Sequence, residues 1–218
     1  MTETYREPDK FNKPNTIIGI DFDNTIINYN DIMYKIATSQ KLIDPSTAAN
    51  KKNIRDKIRL LPNGESKWRE LQTTIYSNKI ELAIPANGVR NFFKKAHQFG
   101  IKLYVISHKT QFPNYGKLKI DLRKAALKWL DKHQFFDEKE LGFTRNNVFF
   151  ETTREQKIDK VGKLKCTHFI DDLIETFIEP NFPLNTIKIL YSSNNYEYSD
   201  TNIKVAQNWN KIDDIFFG

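Results

Sequence analysis

Several things are scarce in this 218-residue chain, and each scarcity closes a class. Cys166 is the only cysteine, which excludes an intrachain disulfide framework and any CxxC metal knuckle. No apolar run approaches the length of a membrane span. The segment from Met1 to Lys13 is polar and lacks a secretory apolar region. These features lead us to expect a soluble, cytoplasmic protein. The four histidines, His97, His108, His133 and His168, lack metal-ligand spacing, and neither a GxGxxG nor a P-loop pattern occurs. Basic residues are in excess, with a net charge of +7 and a pI near 9.3. The lysines are nevertheless spread along the chain rather than interleaved with aromatics, so nucleic-acid binding is not indicated.

What the chain does contain is a series of apolar runs that end in polar residues. Thr16–Ile20 reads as a buried strand closing at Asp21, with Phe22-Asp23-Asn24-Thr25 behind it. Residues 28–84 change texture. They carry helix-type spacing at Ile54, Ile58 and Leu61, then at Trp68, Leu71 and Ile75, with a turn at Pro62-Asn63-Gly64. We expect this segment to be a helical insertion, following a polar arm over residues 1–15. The core would then comprise residues 16–27 and 85–218.

Beyond the insertion, Pro85 and Gly88 open a helix that Gly100 ends. Ile101–Ile106 reads as a strand ending at Ser107, and a loop with Pro113 and Gly116 follows. Leu122, Ala125, Ala126, Trp129 and Leu130 mark one face of a helix. Asn147–Phe150 reads as a third strand, residues 155–164 as a short helix, Thr167–Ile170 as a fourth strand closing at Asp171-Asp172, and Thr186–Tyr191 as a fifth. Trp209–Phe217 reads as a final docking helix. Such alternation predicts an α/β protein with a mostly parallel sheet and helices on both faces. Ligands bind such sheets outside the carboxyl ends of the strands. Asp21, Asp23, Ser107, Asp171 and Asp172 should therefore converge there.

The residue types at that edge suit Mg²⁺-assisted phosphoryl transfer. A strand-end carboxylate such as Asp21 can attack phosphorus. Asp23 can protonate the leaving oxygen and then activate water. Asp171 and Asp172 are hard oxygen ligands suited to Mg²⁺. Ser107 can hold a phosphoryl oxygen, with His108, Lys109 and Thr110 following in the loop. A lysine of the short helix, Lys157 or Lys160, would balance charge, and Lys157 lies nearer its start.

Taken in order, Asp21-x-Asp23-x-Thr25, Ser107, Lys157 and Asp171-Asp172 resemble the motifs of the haloacid dehalogenase superfamily, from about Thr16 to the C-terminus. The resemblance implies a Rossmann-like three-layer α/β/α core, Mg²⁺, and a helical cap over the site. It implies Asp21 as nucleophile and metal ligand, and Asp23 as acid/base with its backbone carbonyl on the metal. Thr25 and Ser107 would bind the phosphoryl group, Lys157 would balance charge, and Asp172 would be the main acidic ligand of its pair, supported by Asp171. The implied activity is hydrolysis of a small phosphorylated metabolite. A phosphomutase shares every motif, and a nucleotidase is a narrower version in which Trp68 and Tyr76 would stack on a base. A non-catalytic binding protein on this fold is the reading from a different class.

Overall fold

A computed structural model of the protein describes residues 15–115, 120–192 and 202–218. Most of the polar arm, Gly116 and the stretch 193–201 lie outside these residues.

Six strands form one parallel sheet. They are β1 (Ile17–Ile20), β4 (Lys102–His108), β5 (Val148–Glu151), β6 (His168–Asp171), β7 (Ile187–Tyr191) and β8 (Ile203–Ala206), in the order β5-β4-β1-β6-β7-β8. The chain first runs outward from β1 through β4 to β5, then returns to the other side of β1 for β6 and runs out to β8. The strand order thus reverses beside β1, which places a ligand crevice beyond its carboxyl end. Gly19 permits the close packing of β1 on β6, because a Cβ there would lie 2.6 Å from the Phe169 ring.

Period-two alternation sends successive side chains of these strands into two apolar cores. Ile18, Ile20, Val105 and Ile170 join Phe92 and Phe93 of α4 (Val89–Gln98), Trp129 of α5 (Leu122–Lys132) and Trp209 of α9 (Trp209–Phe217). Tyr104, Ile106 and Phe169 join Ile158 and Val161 of α7 (Arg154–Lys163) and Phe177 of α8 (Ile174–Phe177) on the other face. The result is a three-layer α/β/α core of Rossmann type. A four-residue helix, α6 (Glu138–Leu141), precedes β5.

Local signals explain the boundaries. Helix α4 ends where Gly100 adopts φ 67°, with Gly100 N–H donating to His97 O at 3.1 Å and Ile101 N–H to Ala96 O at 2.8 Å. Those paired bonds form a Schellman cap. Asn208 caps α9 by accepting from Lys211 N–H at 3.0 Å, and Thr153 caps α7 by accepting from Gln156 N–H at 3.1 Å.

Between β1 and α4 the chain forms α1 (Asn30–Ser39), α2 (Lys51–Arg59), α3 (Gly64–Tyr76) and a 3₁₀ turn at Ile80–Leu82. An antiparallel ribbon of β2 (Ile27–Asn28) and β3 (Ile84–Pro85) brackets them. Ile54, Ile58, Trp68, Leu71 and Ile75 are buried in the same apolar cluster as the sheet residues of the first face. Trp68 is 3% exposed, so it is core and not a surface on which a base can stack.

Candidate active site

Asp21 follows β1 directly, and its backbone N–H still donates to Ile170 O at 2.8 Å, continuing the sheet ladder. Its side chain is 7% exposed. Two donors converge on Oδ1, the Ser107 hydroxyl at 2.9 Å and Lys157 Nζ at 2.6 Å. No hydrogen bond reaches Oδ2 among the described residues. Burial raises the Asp21 carboxyl to about 6, a rise that Lys157 opposes and that Asp171 and Asp23 reinforce.

Lys157 projects from the first turns of α7 to the strand ends and is 2% exposed. Its ammonium bridges Asp21 and Asp171, with Asp171 Oδ2 at 2.7 Å. Burial alone would favour the neutral amine, but Asp171 and Asp21 outweigh it and hold the charge. Lys160 points elsewhere, to Glu151 at 3.3 Å and the Phe149 ring at 4.7 Å.

Both oxygens of Asp171 are engaged, Oδ2 by Lys157 and Oδ1 by Leu173 N–H at 3.0 Å. Asp172 is different. Its nearest cation is Lys51 Nζ at 3.9 Å, and burial lifts its carboxyl to about 8 despite Lys51, with Asp21 and Asp171 adding to the rise. Carboxylate oxygens of Asp21, Asp171 and Asp172 lie within 4.8 Å of one another. Such a group of hard-oxygen donors, with the Asp21 and Asp172 carboxyls raised, fits a small divalent cation. Because each Asp171 oxygen already accepts one hydrogen bond, from Lys157 and from Leu173, Asp21 Oδ2 and Asp172 are the oxygens with the most ligand capacity to spare.

Asp23 lies in the turn after β1, where Asn24 takes φ 62°, a conformation Asn tolerates. It is held by Tyr29 Oη–H, which donates at 2.7 Å, and by Lys109 Nζ at 2.7 Å from Oδ2 and 3.1 Å from Oδ1. Burial and the Asp23 charge push the Tyr29 phenol well above its ordinary range, so it remains a donor. Lys109 is 4% exposed and lies over the Phe22 and Tyr76 rings at 5.4 and 5.6 Å.

The structure therefore shifts the emphasis among the expected residues. Ser107 is 1% exposed and turned to Asp21, so here it orients that carboxylate rather than presenting its hydroxyl to open space. Thr25 is 0% exposed, its hydroxyl unpaired among the described residues, while its carbonyl accepts from the Trp209 indole N–H at 3.0 Å. That burial gives Thr25 a packing place beneath the turn and not an open one. His108 is not gathered into the acidic cluster. It is exposed on the alternate side of β4 from Ser107, with its imidazole against the Thr152 backbone. Lys109, one further position along, takes the place in the site that His108 was expected to hold. Alternation from Ser107 is the signal that points to it. Lys51 and Tyr29, by contrast, carry no local sequence signal for the site.

The class these features define is a doubly wound parallel α/β protein with a buried acidic centre where its strand order reverses. The fold is that of the haloacid dehalogenase (HAD) superfamily. A putative HAD-hydrolase from Bacillus subtilis, bound to magnesium, superposes with a TM-score of 0.54 at 11% identity, covering 93% of this chain and 99% of that one. A HAD-superfamily hydrolase of subfamily IA, variant 1, from Geobacter sulfurreducens gives 0.52 at 10% identity, over 94% and 98%. A HAD hydrolase of family IA, variant 3, from Entamoeba histolytica gives 0.50 at 13% identity, over 90% and 94%. No protein-family model and no curated protein matches the chain.

Proposed function

We propose that the protein is a Mg²⁺-dependent phosphatase that hydrolyses a small phosphorylated metabolite through an aspartyl-phosphate. The observation that carries this reading is the arrangement around Asp21. Ser107 and Lys157 pin one carboxylate oxygen and leave the other without a hydrogen bond, at the edge of a three-carboxylate cluster. A carboxylate fixed by one oxygen is oriented for attack with the other.

In this reading Asp21 Oδ2 forms a bond to phosphorus as the ester P–O bond breaks, and Asp23 gives a proton to the departing oxygen. Water then attacks phosphorus. Asp23 takes its proton, the bond between Asp21 and phosphorus breaks, and phosphate leaves with the carboxylate restored. Tyr29 and Lys109 hold Asp23 in place through both halves. Lys157 holds Asp21 and Asp171 in place and supplies positive charge beside the reacting oxygen. Asp21 and Asp172, with Asp171 in support, would hold Mg²⁺, which would offset charge on the phosphoryl group. The helices of residues 30–82 serve as a cap, and Lys51 brings them to the acidic centre.

Phosphate release from a panel of sugar, nucleotide and small-acid phosphates, together with p-nitrophenyl phosphate, tests the proposal. Activity should require Mg²⁺, and Asp21→Asn should lower turnover by about 10³-fold or more. Equal activity in the two proteins would remove Asp21 as nucleophile. Transfer to a second sugar hydroxyl without net phosphate release would identify a mutase instead.

A further inference from the structure

A cavity of about 460 Å³ opens beside the acidic centre, between α2 and the carboxyl ends of β6, β7 and β8. Asp172, Asn24 and Glu175 line it, together with Lys51, Lys52 and Arg55 of α2, so three cations face two acids. A second cleft of about 350 Å³, lined by Tyr76, Thr110 and Tyr115 among others, contains none of the four acids.

The three cations of the larger cavity are not equivalent. Lys52 Nζ lies 3.0 Å from Asp56, and Arg55 lies 2.9 Å from the same carboxylate. Lys51 has no such partner. Its ammonium is 3.9 Å from Asp172, too far for a hydrogen bond, and it makes no side-chain hydrogen bond among the described residues. Its placement is nonetheless fixed. Asn50 caps α2 by accepting from Asn53 N–H at 2.9 Å, and the Lys51 backbone N–H donates to Asn30 Oδ1 at 3.1 Å, tying α2 to the start of α1. Its side chain is 27% exposed. Against its burial, Tyr76, Asp172, Asp23 and Asp21 together favour its charge, and an ammonium that faces a cavity and makes no side-chain hydrogen bond among the described residues has donors to offer an incoming anion.

We propose that Lys51 selects phosphate esters whose leaving group bears a second anion, a carboxylate or a further phosphate, seated in this cavity. The inference rests on the phosphatase reading above. When Asp172 serves as a metal ligand, its charge is shared with the cation, and Lys51 loses the one acid within 4 Å of it. Lys52 and Arg55 add a positive wall behind it, partly offset by Asp56. The leaving group's own anion would satisfy Lys51 at the moment the phosphoryl group sits at the acidic centre.

The test compares glycerol 3-phosphate with 3-phosphoglycerate, which differ by a hydroxymethyl against a carboxylate. p-Nitrophenyl phosphate serves as the ester without a second anion. The wild type should favour the acid by about ten- to a hundredfold in kcat/KM, the size of one lost charge-assisted hydrogen bond. Lys51→Gln should collapse that ratio toward one, chiefly by raising KM for the acid, and Lys51→Arg should retain most of it. Mg²⁺-dependent hydrolysis of both esters with no preference, or a preference that survives Lys51→Gln, would overturn the inference and leave the phosphatase reading standing. Equal losses on both esters in Lys51→Gln would assign Lys51 to the transferred phosphoryl group and also overturn it. Absence of any Asp21-dependent hydrolysis, including that of p-nitrophenyl phosphate, would remove the phosphatase reading and the inference together.

Discussion

The floor of the site and its helical roof are built on opposite terms. On the floor, charges meet at hydrogen-bonding distance and away from water. Lys157 lies 2.6 Å from Asp21 and 2.7 Å from Asp171, with all three side chains at most 7% exposed. At the roof, Lys51 approaches Asp172 only to 3.9 Å, at 27% exposure. A buried cluster tied by short ion pairs is costly to disturb and so stays in one geometry. A loose, half-solvated contact is cheap to break, which suits a group that must exchange partners when a ligand arrives. On the proposed phosphatase reading, the contrast separates residues that would hold the chemistry in place from one that would choose what enters.

The sharpest way to break that contrast is to neutralise one lysine on each side. Lys157→Met strands Asp21 and Asp171 as buried carboxylates with no counter-charge, and should cost about 3–5 kcal/mol by urea denaturation at neutral pH. The loss should shrink in acid, where the Asp21 carboxyl, already raised by burial, takes up a proton. Lys51→Met should cost about 1 kcal/mol or less, since its pairing with Asp172 is long and partly screened. Similar losses in the two variants would mean that the roof is as tightly coupled to the fold as the floor.

Metal and pH sharpen the comparison next. Burial raises the Asp21 carboxyl to about 6 and that of Asp172 to about 8, from an ordinary 3.8. Both hold protons in the folded chain at pH values where the unfolded chain has lost them. The stability they contribute is present below about pH 4 and is lost as pH rises through about 6 and then about 8. A Mg²⁺ ion held by these carboxylates would have to displace those protons. Saturating Mg²⁺ should therefore stabilise the protein little near pH 5 and by about 2–3 kcal/mol near pH 9, with thermal melts as the readout. A magnesium effect that does not grow with pH would show that these carboxyls are not its ligands.

How much of this was legible in the sequence follows the same division. The floor stands on strands whose apolar runs end at Asp21, Ser107 and Asp171, and parallel pairing brings those ends together without further information. The tail helix begins at Trp209 and ends at Phe217, as its apolar spacing implies. Helices α2 and α3 bury the residues their spacing marks, Ile54 and Ile58, then Trp68, Leu71 and Ile75. Strand β8 leaves no readable signal, because four residues, Ile203–Ala206, with Lys204 exposed, make too weak a pattern outside their sheet. The four-residue helices α6 and α8 are equally short. The side chains that reach the site from a distance were the hardest to foresee. Lys51 and Tyr29 arrive through helix packing and the fold of the insertion, neither of which leaves a local motif. The hydroxyl of Ser107 was readable as a site group, but its pairing with Asp21 depends on the exact approach of two strand ends.

The smallest expected effect tests whether the floor is as selective about its lysine as its geometry implies. Lys157 and Lys160 lie one helical turn apart on α7, and the chain offers either as a charge-balancing group. They differ in what they meet. Lys157 enters the acidic cluster, whereas Lys160, 29% exposed, sits 3.3 Å from Glu151 and over the Phe149 ring. Removing Lys160 leaves Glu151 with access to water and strands no buried charge. Lys160→Ala should therefore change stability by about 0.5 kcal/mol or less. Phosphate release by the variant should stay within about twofold of the wild type, because nothing bonded to Asp21 has been altered. A loss approaching that of Lys157→Met would mean that charge at this end of α7 matters as a diffuse field, and not as one ammonium held between two carboxylates.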